Sequence, residues 1–268
     1  MLSRNNGSKA LSILIVTKNA EGVIGKALES LQGLGDELVV IDSGSTDGTV
    51  RIVQKFTKNV FMHSFQHDFS NLRNFGLSKV TSDWVLVLDA DEELGEEAKR
   101  EIPDLIRNKT IDGYWFRRKT FLAPGRYLRY GFFYPDWQLR LFRNKKEYRY
   151  RGAVHEQLSI PKGKTREVPY DILHYPQHPK YTSFTDFRNL MPYVRIRANE
   201  LEKSSKGASI LLFAAVGQFI LLFVGGFFRG KGFLDGWVGF RAHLIFALSV
   251  SLAYILAGWR KVKVRGIL

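Results

Sequence analysis

The sequence predicts an α/β protein with a mostly parallel, mixed central sheet, followed by a C-terminal pair of apolar helices. In the first third of the chain, apolar strand-like runs alternate with segments of helical periodicity, a pattern typical of βαβ units. Residues 113–173 instead carry short aromatic and basic strands separated by turn residues. The chain becomes strongly apolar after residue 203. We therefore expect one domain over residues 1–203 and a membrane-associated tail over residues 204–268.

The individual elements follow from apolar periodicity. Runs rich in Val, Ile and Leu predict buried strands, and apolar residues at helical spacing predict helices. The predicted strands cover residues 11–17, 37–42, 59–65 and 83–88, and the predicted helices cover residues 23–31, 46–56, 70–79 and 181–203. Glu92 to Glu97 suit the start of a further helix, because acidic side chains stabilise a helix N-terminus.

Composition limits the chemistry of the chain. It has no cysteine, which excludes disulfides, thiolate metal ligands and a cysteine nucleophile. The formal net charge is +14, and between residues 107 and 151 there are thirteen Lys and Arg against three acids. Such a surface attracts phosphate groups. We do not expect a nucleic-acid partner, because no recognised nucleic-acid-binding motif accompanies this charge. The polar residues 1–10 and the short apolar run after them do not resemble a signal peptide, so we expect the N-terminal part to stay in the cytoplasm.

The most informative segment is a buried strand that ends in carboxylates, with Asp89 and Asp91 separated by Ala90. Alternate residues of a strand project to the same face, so the two carboxylates are expected side by side. Mg²⁺ is usually held by one or two carboxylates together with substrate phosphates and water. The segment therefore indicates either a metal-bridged phosphate site at the carboxyl edge of a sheet, where open α/β folds bind ligands, or an acidic turn that starts a helix.

A second acid lies at the end of the second predicted strand. Asp42 is followed by Ser-Gly-Ser-Thr-Asp-Gly-Thr, in which Gly44 and Gly48 permit tight turns and Ser45 or Thr46 can cap the next helix. A carboxylate in this position can accept hydrogen bonds from a ribose or a base. A plain capped turn explains the glycines equally well. It does not explain why two strand ends carry acids.

The tail contains two uncharged runs. Residues 207–228 are long enough to cross a bilayer, which takes about 20 residues of α-helix. Residues 242–259 form a shorter run if His243 is neutral. Basic residues outside the runs favour a hairpin with both ends cytoplasmic, whereas those between the runs favour a re-entrant or interfacial pair. A spanning hairpin, helices lying in the interface and ordinary buried helices stay open, and membrane association of some kind is predicted.

Seven motifs occur in one order along nearly the whole chain: ILIVTKN (13–19), VVIDSGSTDGT (39–49), NLRNFGL (71–77), DWVLVLDADEE (83–93), WQLRLFRN (137–144), GAVHEQL (152–158) and GFLDGWVGF (232–240). In this set the chain resembles family 2 glycosyltransferases with the GT-A fold. More narrowly, it resembles the lipopolysaccharide-core β-1,4-glucosyltransferase (WaaE-like) group. The first four motifs are widely shared among such transferases, and the last three are more specific to the subgroup.

The resemblance implies a UDP-sugar donor, a divalent metal (Mg²⁺ or Mn²⁺) and inversion at the anomeric carbon. It implies a nucleotide-binding half at 1–112 and an acceptor and metal half at 113–203. Asp42 would contact the uridine, Asp89 the ribose or the metal, and Asp91 the metal. The other residues implied in the site are Thr17 and Asn19 for the donor, Arg73, Arg140 and Arg143 for its pyrophosphate or for acceptor phosphates, and His174 for the metal shell.

An inverting transfer needs one general base for the acceptor hydroxyl. Glu156 is the first candidate and Asp136 the second. The resemblance further implies an acceptor in the lipopolysaccharide core or another cell-envelope glycan, at the cytoplasmic face of the inner membrane. The continuously apolar tail also fits a polyisoprenyl-phosphate glycosyltransferase. A membrane-tethered module that binds sugar nucleotides without catalysis is the non-enzymatic alternative.

Overall fold

A computed structural model describes residues 9–64, 69–123, 125–152, 157–177, 181 and 183–264. The chain forms two compact units. The first lies within Met1–Lys119 and Asp136–Gln177, and the second within Thr120–Pro135 and His178–Leu268. The sequence predicted a boundary at residue 203, whereas the second unit also contains the helix before that boundary and the segment 120–135. The functional division of the chain stays a prediction.

The first half of the first unit follows the predicted strand and helix order. Its four strands are parallel and lie in the order β3-β2-β1-β4. Their bounds are β1 (Leu11–Thr17), β2 (Glu37–Asp42), β3 (Val60–Met62) and β4 (Trp84–Asp89), and the helices between them are α1 (Ile24–Ser30), α2 (Thr49–Val53) and α3 (Phe69–Leu77). Helix α2 begins three residues later than predicted, because the Asp47 carboxylate accepts the Thr49 N–H and holds the preceding residues in a turn.

The second half of this unit extends the sheet with antiparallel strands in the order β4-β8-β6-β11-β5. The bounds of these elements are β5 (Glu92–Leu94), α4 (Glu96–Leu105), β6 (Gly113–Ala123), β8 (Asp136–Arg143) and β11 (Thr165–His174), and a separate two-stranded sheet joins β9 (Tyr150–Arg151) and β10 (Gln157–Leu158). The prediction that Glu92 starts a helix is wrong. Glu92 pairs with His174 across β5 and β11, and α4 begins only at Glu96, where acidic residues do occupy the first turn.

The core lies on both faces of the parallel half of the sheet. Alternate residues of β1 and β4 contribute to different clusters, with Ile13 and Leu86 on one face and Leu14 and Val85 on the other. All four side chains are buried. Covering both faces requires nearly continuous apolar strands, which is the pattern in the sequence. Gly76 of α3 allows the helix to approach the sheet closely, since a Cβ there would lie 2.7 Å from Leu14 Cδ1.

The second unit is built on helices α5 (Phe187–Lys203), α6 (Ala208–Phe223) and α7 (Gly236–Val264). A widened helical turn at Val224–Arg229 continues α6. A short strand, β7 (Arg126–Tyr127), pairs with the end of β6 within segment 120–135. The stretches Ala208–Arg229 and Gly232–Lys263 are long and apolar enough to cross a membrane, judged by length and composition.

Candidate active site

The carboxyl ends of three neighbouring strands bring the predicted residues of the first half together. In the sheet register Thr17 at the end of β1 pairs with Asp42 at the end of β2. On the other side of β1, Val16 pairs with Asp89 at the end of β4. Thr17 and Asp42 are buried, and Thr17 Oγ1 has no hydrogen-bond partner among the described residues. Parallel strands thus collect these side chains at one edge, as expected for an open α/β sheet.

The loop after β2 is organised around Asp42. Its Oδ2 accepts the N–H groups of Gly44 at 3.0 Å and Ser45 at 2.9 Å, and its Oδ1 accepts the Ser45 hydroxyl. Asn19, which has a positive φ of 48°, joins the loop after β1 to this one. Its Oδ1 accepts the Thr46 N–H at 2.8 Å. The two loops therefore form one rigid rim, and both Asp42 and Asn19 take part in building it.

Asp89 lies between two arginines. Its Oδ1 is 2.7 Å from Arg73 Nη2 and its Oδ2 is 2.8 Å from Arg140 Nη2. Burial raises the pKa of Asp89, but the charges of Arg140 and Arg73 outweigh it and hold the pKa well below the usual range of a carboxyl. Asp89 is consequently ionised, and both of its oxygens accept charge-assisted hydrogen bonds from guanidinium groups.

Glu92 extends this arrangement into the protein interior. Its side chain is 0% exposed, and its Oε1 lies 2.6 Å from Arg140 Nη2 and 3.5 Å from Arg118 Nη1. Its Oε2 accepts the Asp89 N–H at 3.1 Å. Burial lowers the pKa of Arg140, but Asp89 and Glu92 raise it more strongly, so the net shift is well upward. Glu92 therefore holds the arginine that holds Asp89.

Asp136, the second candidate for a base, is also held by hydrogen bonds. Its Oδ2 accepts Arg118 Nε at 2.8 Å and Nη2 at 2.6 Å, and its Oδ1 accepts Gln138 Nε2 at 2.7 Å. Both carboxylate oxygens of Asp136 are thus already occupied by donors, one by the arginine fork and the other by an amide.

Asp91 and His174 form the arrangement that best fits a metal. His174 Nε2 lies 3.4 Å from Asp91 Oδ2, and both side chains are partly exposed. The Asp91 carbonyl accepts the Tyr175 N–H at 2.8 Å, which ties the turn after β4 to the end of β11. Carboxylate and imidazole are suitable ligands for Mn²⁺, and a carboxylate suits Mg²⁺. Within the described part of the chain no group of three His, Asp or Glu side chains could hold a metal ion alone.

Among the described residues, Arg143 is a predicted site residue that does not join this group. Arg143 lies at the far end of β8, paired in register with Trp84 at the start of β4. Its guanidinium contacts Asp112 at 3.1 Å and stacks on the Trp84 ring, because β8 runs antiparallel to β4 and carries its last residue away from the carboxyl edge. Glu156 lies outside the described residues, as does its neighbour His155.

The sequence reasoning missed Glu92 and Arg118. The sequence pattern predicts Glu92 at a helix start, whereas Glu92 lies in a short strand whose neighbours, such as Leu94, are buried. Arg118 lies in a strand with several basic residues. Nothing in the neighbouring sequence indicates that Arg118, and not Arg117, belongs to the site. Only the pairing of Arg118 with Asp136 across β6 and β8 identifies it.

Comparison with known proteins gives a family and several relatives for the chain. The model of the family described as "Glycosyl transferase family 2" matches residues 12–189. The chain is 27% identical to an uncharacterised glycosyltransferase of Rickettsia conorii, over 90% of this chain and 87% of that protein. It is 31% identical to the lipopolysaccharide core biosynthesis glycosyltransferase LpsC of Rhizobium meliloti, over 57% of this chain and 58% of that protein. Among solved structures, Staphylococcus aureus TarS 1–349 with UDP-GlcNAc is 17% identical with a TM-score of 0.48, over 96% of this chain and 92% of that one.

The family match makes this protein a glycosyltransferase by class, built on a half-parallel sheet with acids at its carboxyl edge. The chain belongs to glycosyl transferase family 2. The predicted fold class, a mixed central sheet of the GT-A type followed by two apolar helices, is confirmed.

Proposed function

We propose that this glycosyltransferase moves a hexose, with glucose as the first candidate, from a UDP-sugar to a cell-envelope acceptor. The single observation that carries the proposal is the row of acids at the carboxyl edge, where Asp91 faces His174 beside the arginine-held Asp89. Asp42 and Asn19 would line the uridine end, since both lie on the rim formed by the first two loops. Thr17 contributes a buried hydroxyl with no described partner to the same rim.

Asp91 and His174 would hold the divalent metal, Mg²⁺ or Mn²⁺. When bound, such an ion neutralises charge on the pyrophosphate of the departing nucleotide. The negative charge of Asp89 is balanced by the two arginines that contact it. Its chief role in the site would therefore be to hold Arg73 and Arg140 in place. Guanidinium groups bind phosphate oxygens in a two-pronged manner, which makes these two arginines candidates for the pyrophosphate. Arg143 is not included in the proposed donor site, because it lies at the end of β8 that pairs with the start of β4.

Inversion would occur in one displacement. The acceptor oxygen forms a bond to the anomeric carbon, the bond from that carbon to the phosphate oxygen breaks, and UDP leaves with the electron pair. A carboxylate takes the hydroxyl proton. Glu156 is preferred as this base, because Asp136 is engaged by Arg118 and Gln138.

The acceptor would be part of the lipopolysaccharide core or a related lipid-linked glycan, at the cytoplasmic face of the inner membrane. The name of the Rhizobium relative supports this class of acceptor. The apolar tail supports a membrane location. It also favours a second candidate, transfer to a polyisoprenyl phosphate. The products differ, because a sugar polyisoprenyl phosphate partitions into organic solvent and is labile to acid.

Turnover of a panel of UDP-sugars with Mg²⁺ or Mn²⁺ tests the proposal, with Asp91→Ala compared against Asp83→Ala. Asp83 is exposed at the opposite end of β4, so its loss should leave turnover near the wild-type level. Asp91→Ala should lose metal-dependent turnover. Equal turnover in the two variants would refute the metal assignment. UDP-sugar binding without any turnover by the wild type would instead favour a non-catalytic binding module.

A further inference from the structure

The exposed face of α6 has the composition of a protein interior. Leu211 and Ala215 face α5 and α7 and are buried. The opposite face exposes apolar side chains along its length: Ile210 (57%), Phe213 (84%), Val216 (60%), Ile220 (54%) and Leu221 (62%). Only 17% of the most apolar stretch of this helix is buried. A surface helix in water normally turns polar residues outward, and a continuous apolar face of this kind marks a contact with membrane or protein.

Basic side chains border this apolar face at both ends. Lys203 and Lys206 are exposed before α6, and Arg229 and Lys231 are exposed after it. Close to Arg229 and Lys231, the side chains of Phe228, Phe233 and Leu234 are each about half exposed. An apolar face edged by cations matches the acyl and anionic headgroup layers of a bilayer. A second copy of the chain would instead bring the same cations against one another.

The turn between α6 and α7 is fastened to segment 120–135. Asp235 Oδ2 accepts the N–H groups of Arg129 at 3.0 Å and Tyr130 at 3.1 Å. The Gly131 N–H donates to the Gly230 carbonyl at 2.8 Å. Phe133 then packs edge-on against His243, with ring centroids 4.9 Å apart.

The other end of the helical pair is fastened to α5. Arg260 Nη1 donates to Asn199 Oδ1 at 2.6 Å, and Lys261 Nζ donates to the Ser204 and Lys206 carbonyls. Helix α5 carries Arg and Glu side chains, which are costly to place in hydrocarbon. Polar segments therefore flank both ends of α7.

These attachments bear on whether the pair can cross a bilayer. In a spanning hairpin the turn at 229–235 would lie across about 30 Å of hydrocarbon from residues 203 and 264. Only five residue steps separate Gly131, bonded to that turn, from Asp136 at the start of β8. An extended chain covers at most about 18 Å in five steps. A spanning hairpin would thus pull a sheet strand, or the charged helix α5, into the hydrocarbon.

We infer that α6 and α7 form an in-plane membrane anchor, with the exposed face of α6 lying in the headgroup and acyl boundary of one leaflet. The inference rests on the membrane location in the proposed function and specifies its geometry. A helix that lies in the interface buries its apolar face about 5–10 Å into the headgroup and acyl boundary. Both ends of the pair then stay on one side of the membrane. The two apolar stretches are long enough to span a bilayer, but in this arrangement they lie along the membrane surface.

Single-cysteine labelling tests this topology directly, because the chain has no cysteine of its own. Lys206→Cys and Lys231→Cys variants of the full chain are placed in sealed membrane vesicles of known sidedness and treated with an impermeant maleimide. Both positions should label from the same side. Labelling from opposite sides would overturn the in-plane anchor. UDP-sugar turnover is measured on the same vesicles. A protein that spans the membrane and is active would contradict the in-plane anchor but not the proposed function. A protein that lies in plane and is inactive would contradict the proposed function but not the anchor.

A second measurement tests the face itself. Phe213→Glu should lower partitioning of the full chain onto vesicles of phosphatidylglycerol and phosphatidylethanolamine by about tenfold or more, since burial of one large apolar side chain is lost. Met62→Glu is the matched control, because Met62 is 62% exposed in the first unit and outside the proposed face. Equal partitioning of the two variants, or a wild-type chain that stays off vesicles as a dimer, would refute the bilayer as occupant.

Discussion

Arg140 and Glu92 form an ion pair inside the protein, with Arg140 Nη2 lying 2.6 Å from Glu92 Oε1 and side-chain exposures of 5% and 0%. The same Nη2 also reaches Asp89 Oδ2 at 2.8 Å. A single guanidinium therefore connects the acid at the edge of the sheet to a carboxylate that water does not reach. The orientation of Asp89 depends on a residue that cannot itself contact substrate.

Glu92→Gln removes the buried charge and keeps the shape of the side chain. Breaking one partner of a buried ion pair typically costs about 3–5 kcal/mol when the other charge is left without compensation. Because Arg140 keeps its contact with Asp89, we expect a loss in the free energy of unfolding toward the lower end of this range, together with reduced turnover. Glu93→Gln, one residue along the same strand and partly exposed, is the control. Urea denaturation of both variants checks the prediction, and equal midpoints would contradict it.

His174→Ala should change the metal requirement of the enzyme. Loss of a ligand or its orienting partner commonly weakens metal affinity by about 10–100-fold. We expect the Mn²⁺ concentration for half-maximal turnover to rise by about tenfold or more. Turnover should be largely restored at saturating Mn²⁺. His63→Ala, which removes a histidine bonded to Asn71, is the matched control. An unchanged Mn²⁺ titration for His174→Ala would exclude this histidine from the metal shell.

The two candidate bases can be separated by paired amide substitutions. General base catalysis contributes about 10²–10⁴-fold to rate. Glu156→Gln should lose transfer by a factor in this range while it still binds UDP, measured by calorimetry. Asp136→Asn should lower turnover less and change stability more, since Asp136 anchors Arg118. The reverse order of activities would transfer the role of base to Asp136.

Asp112 should make stability depend on acid pH. Burial raises the pKa of Asp112, but hydrogen bonds from Lys145 at 2.8 Å and Tyr148 at 2.6 Å lower it more, so the folded pKa lies below its ordinary value. A lowered folded pKa contributes stability that is complete above the unfolded pKa of about 3.9 and is lost as the pH falls through the folded pKa. The difference in melting temperature between wild type and Asp112→Asn should therefore be largest at neutral pH and shrink below about pH 4. A constant difference from pH 7 to pH 3 would contradict this assignment.

Gly131→Ala should loosen segment 120–135 from the helices of the second unit. Gly131 has a φ of 76°, and a Cβ there would lie 1.9 Å from His243 Nε2. Gly125→Ala is a close control, because Gly125 has a φ of 69° and, its chain neighbours apart, none of the described residues lies within 4 Å of its Cβ position. Both substitutions place alanine at a positive φ, so they introduce similar backbone strain. Only Gly131→Ala adds a clash with His243. We expect Gly131→Ala to increase proteolysis within 120–135 relative to Gly125→Ala, and equal proteolysis would show that the contact is dispensable.

Much of the first unit was predictable from local pattern. Strands β1, β2 and β4 are buried on both faces, which requires long apolar runs that differ plainly from the amphipathic segments between them. Parallel strands also bring their carboxyl ends together, so Asp42 and Asp89 could be expected at one edge before any contact was known.

The contacts of the charged side chains were beyond the reach of the sequence. Arg140 and Arg143 differ by three positions on one strand, yet one lies at the site and the other at the far end of β4. That difference depends on the register and direction of β8 against β4. A single residue of slip would turn each side chain to the other face.

By itself, the sequence determined the class of fold, the acids at the sheet edge and the apolar character of the tail, because each is written in residue type and local spacing. The tertiary structure alone decided which acid is held by arginines, which faces a histidine, and what borders the two apolar helices. Ion pairs such as Arg140 with Glu92 and anchors such as Asp235 with Arg129 join positions far apart in the chain. Their partners are chosen by strand pairing and helix packing, which no local pattern contains.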